Sequence, residues 1–142
     1  MKKASRIVLL VGSIIGFVGA GALLLTGILF IVFSTPVFTD IVKEGIEKGT
    51  IHTSSIDPET AATVWQITFL SHGILMLIIA VIMCLSGFFG LRARKLETKN
   101  AYIVSIVFGA MMNEVNLVGS ILGLIAWKRA ENRKAKVVAE QE

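Results

Sequence analysis

Two long stretches without a charged residue constrain what this chain can fold into. The first covers residues 7–33 and the second covers residues 64–91. A helix needs about 20 apolar residues to cross a hydrocarbon layer about 30 Å thick, and both stretches are longer than that. Hydrophobic residues make up 54% of the chain, above the roughly 45–50% of soluble domains. The sequence therefore predicts an all-α integral membrane protein with two long transmembrane helices.

A third apolar run covers residues 101–127, and its single charge, Glu114, leaves two interpretations. In the first, the run is one straight helix that crosses the membrane once. Small and polar residues then share one helical arc of about 80° and form a packing face: Ser105, Gly109, Asn113, Asn116, Ser120 and Gly123. Glu114 lies alone on the opposite, apolar face, where a carboxylate at mid-bilayer costs on the order of 3 kcal/mol.

In the second interpretation, the segment Asn113–Asn116 is a turn between two short helices, residues 101–112 and 117–127. Asparagine and glutamate suit such a turn, and Glu114 would reach outer water or headgroups. Each arm is only about 18 Å long, so local thinning or a re-entrant hairpin must make up the difference. We favour this hairpin, which makes the chain a four-span bundle in a single membrane domain of residues 1–142. Three spans are the alternative.

The distribution of charge indicates how the chain is oriented. Basic residues precede the first stretch and follow the second and third: Lys2, Lys3, Arg6, Arg92, Arg94, Lys95, Lys99, Lys128, Arg129, Arg133, Lys134 and Lys136. Because basic flanks mark the cytoplasmic side, we predict a plasma-membrane protein with a cytoplasmic N-terminus and a basic cytoplasmic tail at residues 128–142. The cations flank the spans and form no separate basic domain. The expected partner is therefore the lipid bilayer, and we expect no nucleic-acid partner.

The loop of residues 34–63 is predicted to lie outside the membrane and carries more acids than bases. Its apolar residues recur at three-to-four spacing, which predicts a short amphipathic helix over residues 37–48 on the membrane surface. Gly49 is expected to end that helix. Residues 50–56 follow as a polar connector. Asp57 and Pro58 are typical of an N-cap and a first helical residue, so the next helix is expected to begin there.

Three small residues of the first stretch, Gly12, Gly16 and Ala20, follow one another at four-residue spacing. Small residues on one helix face let a neighbouring backbone approach closely. This spacing predicts a helix-packing face.

Aromatic residues and one histidine are the remaining candidates. We expect Trp65 to be an anchor at the outer interface, and Tyr102 and Trp127 to be anchors at the inner one. His72 is a candidate proton-relay or metal residue because intramembrane ionisable groups are often functional. Its only potential histidine partner is His52 in the loop. We therefore interpret it as a hydrogen-bonded interfacial residue.

The layout of the whole chain resembles a group of small membrane proteins from Gram-positive bacteria that are catalogued as a domain of unknown function. The shared features are a short basic start, a glycine-rich first span, a helical outer loop and a second span that ends in basic residues. Residues 117–129 match the glycine-dotted last span before lysine and arginine. The resemblance implies four crossings and carries no activity. This chain departs from the pattern in its compressed third and fourth spans.

The residues predict a protein that is not an enzyme. They contain no nucleophile–histidine–acid set and no cluster of metal ligands, so we expect no cofactor. The leading hypothesis is an accessory, immunity or stress-type protein that acts through helix packing with another membrane protein or with a second copy of itself. One alternative is a small oligomeric transporter or channel that uses Glu114. Another is a holin-like pore former, which requires that the third run crosses only once.

Overall fold

The computed structural model describes residues 1–52 and 57–140, and this part of the chain is helical without any strand. Its five helices are α1 (Lys2–Phe33), α2 (Pro36–Glu47), α3 (Pro58–Leu96), α4 (Lys99–Met112) and α5 (Glu114–Ala139). The prediction of an all-α protein is therefore confirmed for these residues. Residues 53–56 of the predicted connector and residues 141–142 of the predicted tail lie outside the described part.

Two helices, α1 and α3, are long and apolar enough to cross a membrane, judged by length and composition. They extend beyond the uncharged stretches because their flanking residues also favour helix. Asp57 caps α3, since its Oδ1 accepts the backbone N–H groups of Glu59 (3.1 Å) and Thr60 (2.9 Å). The hydrogen bonds from Thr60 lower the pKa of Asp57 below its ordinary value. At the other end, Arg94 and Lys95 form the last turn of α3, where cations are stabilised by the helix dipole.

The short helix α2 begins at Pro36, close to the predicted start at residue 37. Proline is tolerated there because the first helical N–H has no partner in the helix. Gly49 has φ +72°, a left-handed conformation that glycine adopts without strain. Its N–H donates to the carbonyl of Ile46 (3.0 Å), which ends the helix as the sequence predicts.

The third apolar run is broken at a single residue, Asn113, with φ −149° and ψ 82°. The turn is shorter than predicted, because Glu114, Val115 and Asn116 already belong to α5. The Asn113 side chain caps the new helix by accepting the N–H of Asn116 (3.1 Å). The predicted arm of residues 117–127 also continues through the basic tail to Ala139, because that segment is rich in alanine, lysine, arginine and glutamate, which are strong helix formers.

Helices α4 and α5 pack against each other as an antiparallel hairpin. Near the turn, Gly109 lies against the backbone of Asn116 and Leu117. Further away, the Ser120 hydroxyl donates to Ser105 Oγ (2.7 Å). Residues later in α5 therefore contact residues earlier in α4, as in two antiparallel helices. The interpretation of residues 101–127 as one straight helix is wrong, because the chain reverses direction at Asn113.

Contacts divide the chain into two compact units. Unit 1 comprises Met1–Ala20 and Val81–Glu142, and unit 2 comprises Gly21–Ala80. Unit 1 holds the beginning of α1, the end of α3 and the hairpin. Unit 2 holds the end of α1, α2 and the beginning of α3, and within it Gly27 and Gly73 allow close approach of the two long helices.

Candidate functional site

The interior of unit 1 is built from small and polar side chains. Among its fully buried residues, Leu9 is the one large apolar side chain that the structure describes. Apart from the small Ala93, the other fully buried side chains described there are hydroxyls or amides: Ser5, Ser13, Ser86, Ser105, Ser120 and Asn116. Large apolar side chains lie instead on the outside, as Val81 (59% exposed) and Val118 (51% exposed) do. This distribution is the reverse of that in a soluble domain.

Asn116 lies at the centre of this interior and has no exposed surface. Its Nδ2 donates to the carbonyl oxygen of Ser86 on α3 (2.9 Å) and lies 3.4 Å from the Ser86 hydroxyl. Its Oδ1 has no hydrogen-bond donor among the described residues. A buried amide is costly to leave unpaired, so this side chain holds α5 against α3 at one defined position.

Asn113 makes the corresponding link to α1. It is 4% exposed, and its Nδ2 donates to the carbonyl oxygen of Gly12 (2.8 Å) while its Oδ1 caps α5. The two asparagines at the start of α5 therefore bind two different helices. The single-residue break between α4 and α5 puts both amides on the side of the hairpin that faces α1 and α3.

Gly12, Gly16 and Gly90 make room for these amides, and Gly87 lets α1 approach α3 closely. A Cβ atom on Gly12 would lie 2.8 Å from the backbone nitrogen of Asn116, and one on Gly90 would lie 2.8 Å from its Nδ2. One turn along α1, a Cβ on Gly16 would lie 3.1 Å from the Cα of Gly87. Asn116 thus occupies a slot between α1 and α3 that exists only because both walls lack side chains.

The predicted packing face of Gly12, Gly16 and Ala20 lies inside unit 1. All three residues are buried, and the first two contact the hairpin and α3. We interpreted this face as a surface that could bind a partner, and in the structure it is already covered by the chain's own helices.

Glu114 lies between the two asparagines in sequence but points away from them and is exposed. It is the first residue of α5, where a carboxylate is stabilised by the helix dipole. The neighbouring Asn113 binds Gly12 and lies against Gly16, positions about 9 and 15 Å along α1 from Arg6 at 1.5 Å per residue. The turn is therefore beside the part of α1 that belongs to unit 1.

The predicted inner anchors are placed differently from each other. Tyr102 is 3% exposed, its ring lies against Gly123, and it packs with Leu9 and Ala93 in a small apolar cluster. The ring is therefore covered by the chain's own residues, and its role as an inner anchor stays a prediction. Trp127 is half-buried and packs against the same cluster.

Unit 2 holds the predicted outer anchor and the histidine. Trp65 Nε1 donates to the carbonyl oxygen of Phe33 at the end of α1 (3.1 Å), and its ring stacks on Phe69 at 4.2 Å. His72 Nδ1 lies 2.8 Å from the carbonyl oxygen of Thr68, one turn earlier on α3. Within the described residues, no group of three potential ligands could hold a metal ion.

An ion pair joins the start of α1 to the connection between α3 and α4. Arg6 Nε donates to Glu97 Oε1, and this bond and the guanidinium charge hold the pKa of Glu97 below its ordinary value. Glu97 has φ +50°, a conformation that is uncommon outside glycine and asparagine. The pair therefore stabilises a strained turn at the basic end of unit 1.

Several residues of the polar interior were not predicted from the sequence. Ser13 donates to the carbonyl of Leu9 (2.6 Å), Ser5 donates to that of Gly119 (2.8 Å), and Ser86 and Gly90 line the Asn116 slot. The signal was available, because Gly90 follows Ser86 by one helical turn, as Gly16 follows Gly12. It was obscured because serine and glycine are also common on membrane helices without such a role.

The buried polar groups are amides, hydroxyls and backbone carbonyls, which donate and accept hydrogen bonds and do not titrate near neutral pH. Their arrangement suits the positioning of helices. No family model matches the chain, and no curated protein or solved structure matches it.

Proposed function

We propose that the chain is a multi-pass plasma-membrane protein that acts, without catalysis, by binding another membrane protein side by side through one face of α5. In this arrangement α1 and α3 cross the bilayer, and both termini are cytoplasmic. The observation that carries the proposal is Glu114, an exposed carboxylate at the tip of an otherwise apolar helix face.

Membrane insertion is supported by the surface of the molecule. Only 28% and 22% of the most apolar windows of α1 and α3 are buried by the rest of the chain. Side chains as large as Leu25 (65% exposed) and Ile67 (62% exposed) would contact water in a soluble protein. In a bilayer they contact lipid, and the serines and asparagines of unit 1 are removed from it.

The contacts of the hairpin favour a re-entrant arrangement over four complete crossings. The contacts described between the hairpin and α1 fall between Ser5 and Gly16, and α1 continues to Phe33. A turn about 9–15 Å from Arg6 lies within a hydrocarbon layer about 30 Å thick. The hairpin would therefore enter and leave on the cytoplasmic side.

At this depth, Glu114 would face the hydrocarbon layer and not outer water. On one side of α5, Glu114, Val118, Ile121 and Ile125 recur at helical spacing, and all four are exposed; we call this the Glu114 face. A carboxylate that faces lipid at this depth costs on the order of 3 kcal/mol. A neighbouring helix that donates a hydrogen bond to Glu114 would remove most of that cost.

The chemistry of the face favours a different protein over a second copy. A twofold dimer through the Glu114 face would bring that face against itself and set the two carboxylates close together. Like charges in such a setting repel. We infer a partner helix that is apolar along its length and carries one donor side chain, such as lysine, arginine or asparagine, at the level of Glu114.

Site-specific photo-crosslinking in native membranes tests this proposal. A benzophenone amino acid replaces Val118 on the Glu114 face or, as the matched control, Val81, an equally exposed valine on α3. We expect a discrete adduct at residue 118 that is absent at residue 81. Glu114→Leu should lower its yield about threefold to tenfold, from a polar contact worth roughly 0.6–1.5 kcal/mol.

Equal adducts at both positions, or an adduct that Glu114→Leu leaves unchanged, would contradict the proposed face. An adduct with the mass of two copies of this chain would replace the inferred partner by self-association. A transporter or channel that uses Glu114 is favoured by no specific observation. A holin-like protein would require that the third run crosses the membrane once. The reversal of the chain at Asn113 disfavours that alternative.

A further inference from the structure

A basic cleft lies at the end of unit 1 where the apolar part of α5 gives way to its charged extension. It has a volume of about 410 Å³ and is lined by Met1, Lys2, Ala126, Arg129, Ala130 and Arg133. We call it the Arg129 cleft. We propose that it binds the phosphate of an anionic phospholipid, an inference that depends on the proposed insertion in a membrane.

The cleft combines three cations with a small apolar floor. Ala126, Arg129, Ala130 and Arg133 recur at three-to-four spacing and so occupy one face of α5. The alanines leave a depression between the two arginines, and Lys2 of α1 closes the opposite side. No carboxylate belongs to its lining residues, and the charge of Lys2 acts in addition on the nearby Glu97.

The frame of the cleft is held by contacts on both sides. The Ser5 hydroxyl donates to the carbonyl of Gly119 (2.8 Å), and Arg129 Nη1 lies 2.9 Å from the sulfur of Met1. These contacts fix the first turns of α1 beside α5. The cleft is therefore a formed feature of unit 1, with a volume in the usual range for small-ligand sites.

Chemistry selects the ligand class. A guanidinium presents paired N–H donors that match two oxygens of a phosphate. The cleft begins at Ala126, next to Trp127, where the apolar run ends, and in the proposed arrangement this is the level of the headgroups. Acyl chains would extend along the apolar side of α5. An anionic headgroup fits better than a zwitterionic one, whose ammonium group would meet three cations.

Two neighbouring clefts fit an anion less well. One, lined by Arg6, Leu91, Arg94 and Lys95, has about 490 Å³, but its Arg6 is paired with Glu97. The other, of about 420 Å³, includes both Glu97 and Glu131 among its lining residues. In the Arg129 cleft, by contrast, both arginines line the site without a carboxylate among the lining residues.

Lipid binding to the purified full-length protein tests the inference. Each variant is first reconstituted in phosphatidylcholine vesicles and must float with them after alkaline extraction, which establishes insertion. Native mass spectrometry in mild detergent then compares phosphatidylglycerol with phosphatidylcholine. We expect tighter binding of phosphatidylglycerol, and about a fivefold loss of its affinity in Arg133→Gln.

Two further variants separate a site from diffuse attraction. Lys128→Gln removes an equal charge about 8 Å along α5 from Arg133, on the side of the helix opposite Ala130, and should retain the preference for phosphatidylglycerol. Ala130→Phe leaves the charge unchanged, fills the depression and should abolish the preference. Equal losses in Arg133→Gln and Lys128→Gln, with no effect of Ala130→Phe, would overturn the inference.

A soluble competitor distinguishes the source of the phosphate. Glycerol phosphate at millimolar concentration should not displace phosphatidylglycerol, because it lacks the chains that contact α5. Complete displacement would overturn the assignment to lipid. A protein that floats but binds both lipids equally would refute the cleft alone, whereas failure to float would refute the proposed membrane protein.

Discussion

At the scale of single residues, the packing of the helices in unit 1 depends on glycines that leave space for neighbouring side chains. Asn116 binds the Ser86 carbonyl only because Gly12 and Gly90 leave space on the two neighbouring helices. In the proposed membrane arrangement, such an amide hydrogen bond would have no competition from water. Small residues and one amide thus specify a docking position that larger apolar residues would leave undefined.

Two glycines of α1 provide a matched pair for testing this slot. Gly12→Ala places a Cβ 2.8 Å from the Asn116 backbone nitrogen, whereas Gly21→Ala meets nothing within 4 Å. We expect the first change to lower the free energy of unfolding by about 1–3 kcal/mol through overpacking. The second should leave it unchanged or raise it by up to about 1 kcal/mol, because alanine favours helix.

The measurement is the midpoint of SDS-induced unfolding of the protein in mild detergent, followed by circular dichroism. If both variants unfolded at the same SDS fraction, the slot would contribute nothing to stability. Asn116→Ala in the Gly12→Ala background should recover part of the loss, because the side chain next to the new methyl group is removed.

At the scale of elements, the hairpin shows what the sequence could and could not predict. The arc of Ser105, Gly109 and Ser120 was assigned to the inner face of one straight helix, and in the structure the same residues form the interface of two. The same residues are buried in both cases because their small side chains let α4 and α5 approach each other closely. Periodicity therefore identifies the buried face and cannot by itself tell a straight helix from a folded one.

The positions of Glu114 and of the tail could not be predicted from the apolar periodicity of the sequence. A turn was predicted from Asn113 and Asn116, but its depth follows from which glycines receive the two amides, and that is a tertiary contact. Likewise the end of α5 at Ala139 follows from helix propensity continuing past Trp127, where the apolar pattern stops.

A disulfide can test the hairpin directly. In a Cys84→Ser background, Ser105→Cys with Ser120→Cys should form an intramolecular disulfide under mild oxidation, because the two hydroxyl oxygens lie 2.7 Å apart. The pair Ser105→Cys with Val118→Cys is the control, since Val118 is exposed on another side of α5. Gel mobility with and without reductant measures the bond. Equal oxidation of the two pairs would contradict the antiparallel packing.

At the scale of the whole molecule, the hairpin returns the chain to the end where it began. Arg129 contacts Met1, and the basic residues after the apolar run therefore join those before α1. A tail on the same side as the N-terminus agrees with the rule that basic segments stay in the cytoplasm. The contact between Arg129 and Met1 and the positive-inside rule are independent arguments, and both favour a topology with the tail on the same side as Met1.

The side on which Val138 lies tests that topology. In a Cys84→Ser background, we expect Val138→Cys to react with an impermeant maleimide only after cells are permeabilised. Glu47→Cys at the exposed end of α2 should react in intact cells and is the positive control. Labelling of both cysteines in intact cells would refute the re-entrant hairpin and return the tail to the outside.

The docking of two asparagines onto two different helices has a consequence for biogenesis. Asn113 needs α1 and Asn116 needs α3, and both helices precede the hairpin in the chain, so they leave the ribosome first. If the hairpin entered lipid alone, both amides would be in an apolar medium without hydrogen-bond partners, which costs free energy. In the proposed membrane arrangement, the hairpin would therefore insert after α1 and α3 have paired, because these two helices together supply the acceptors for both amides.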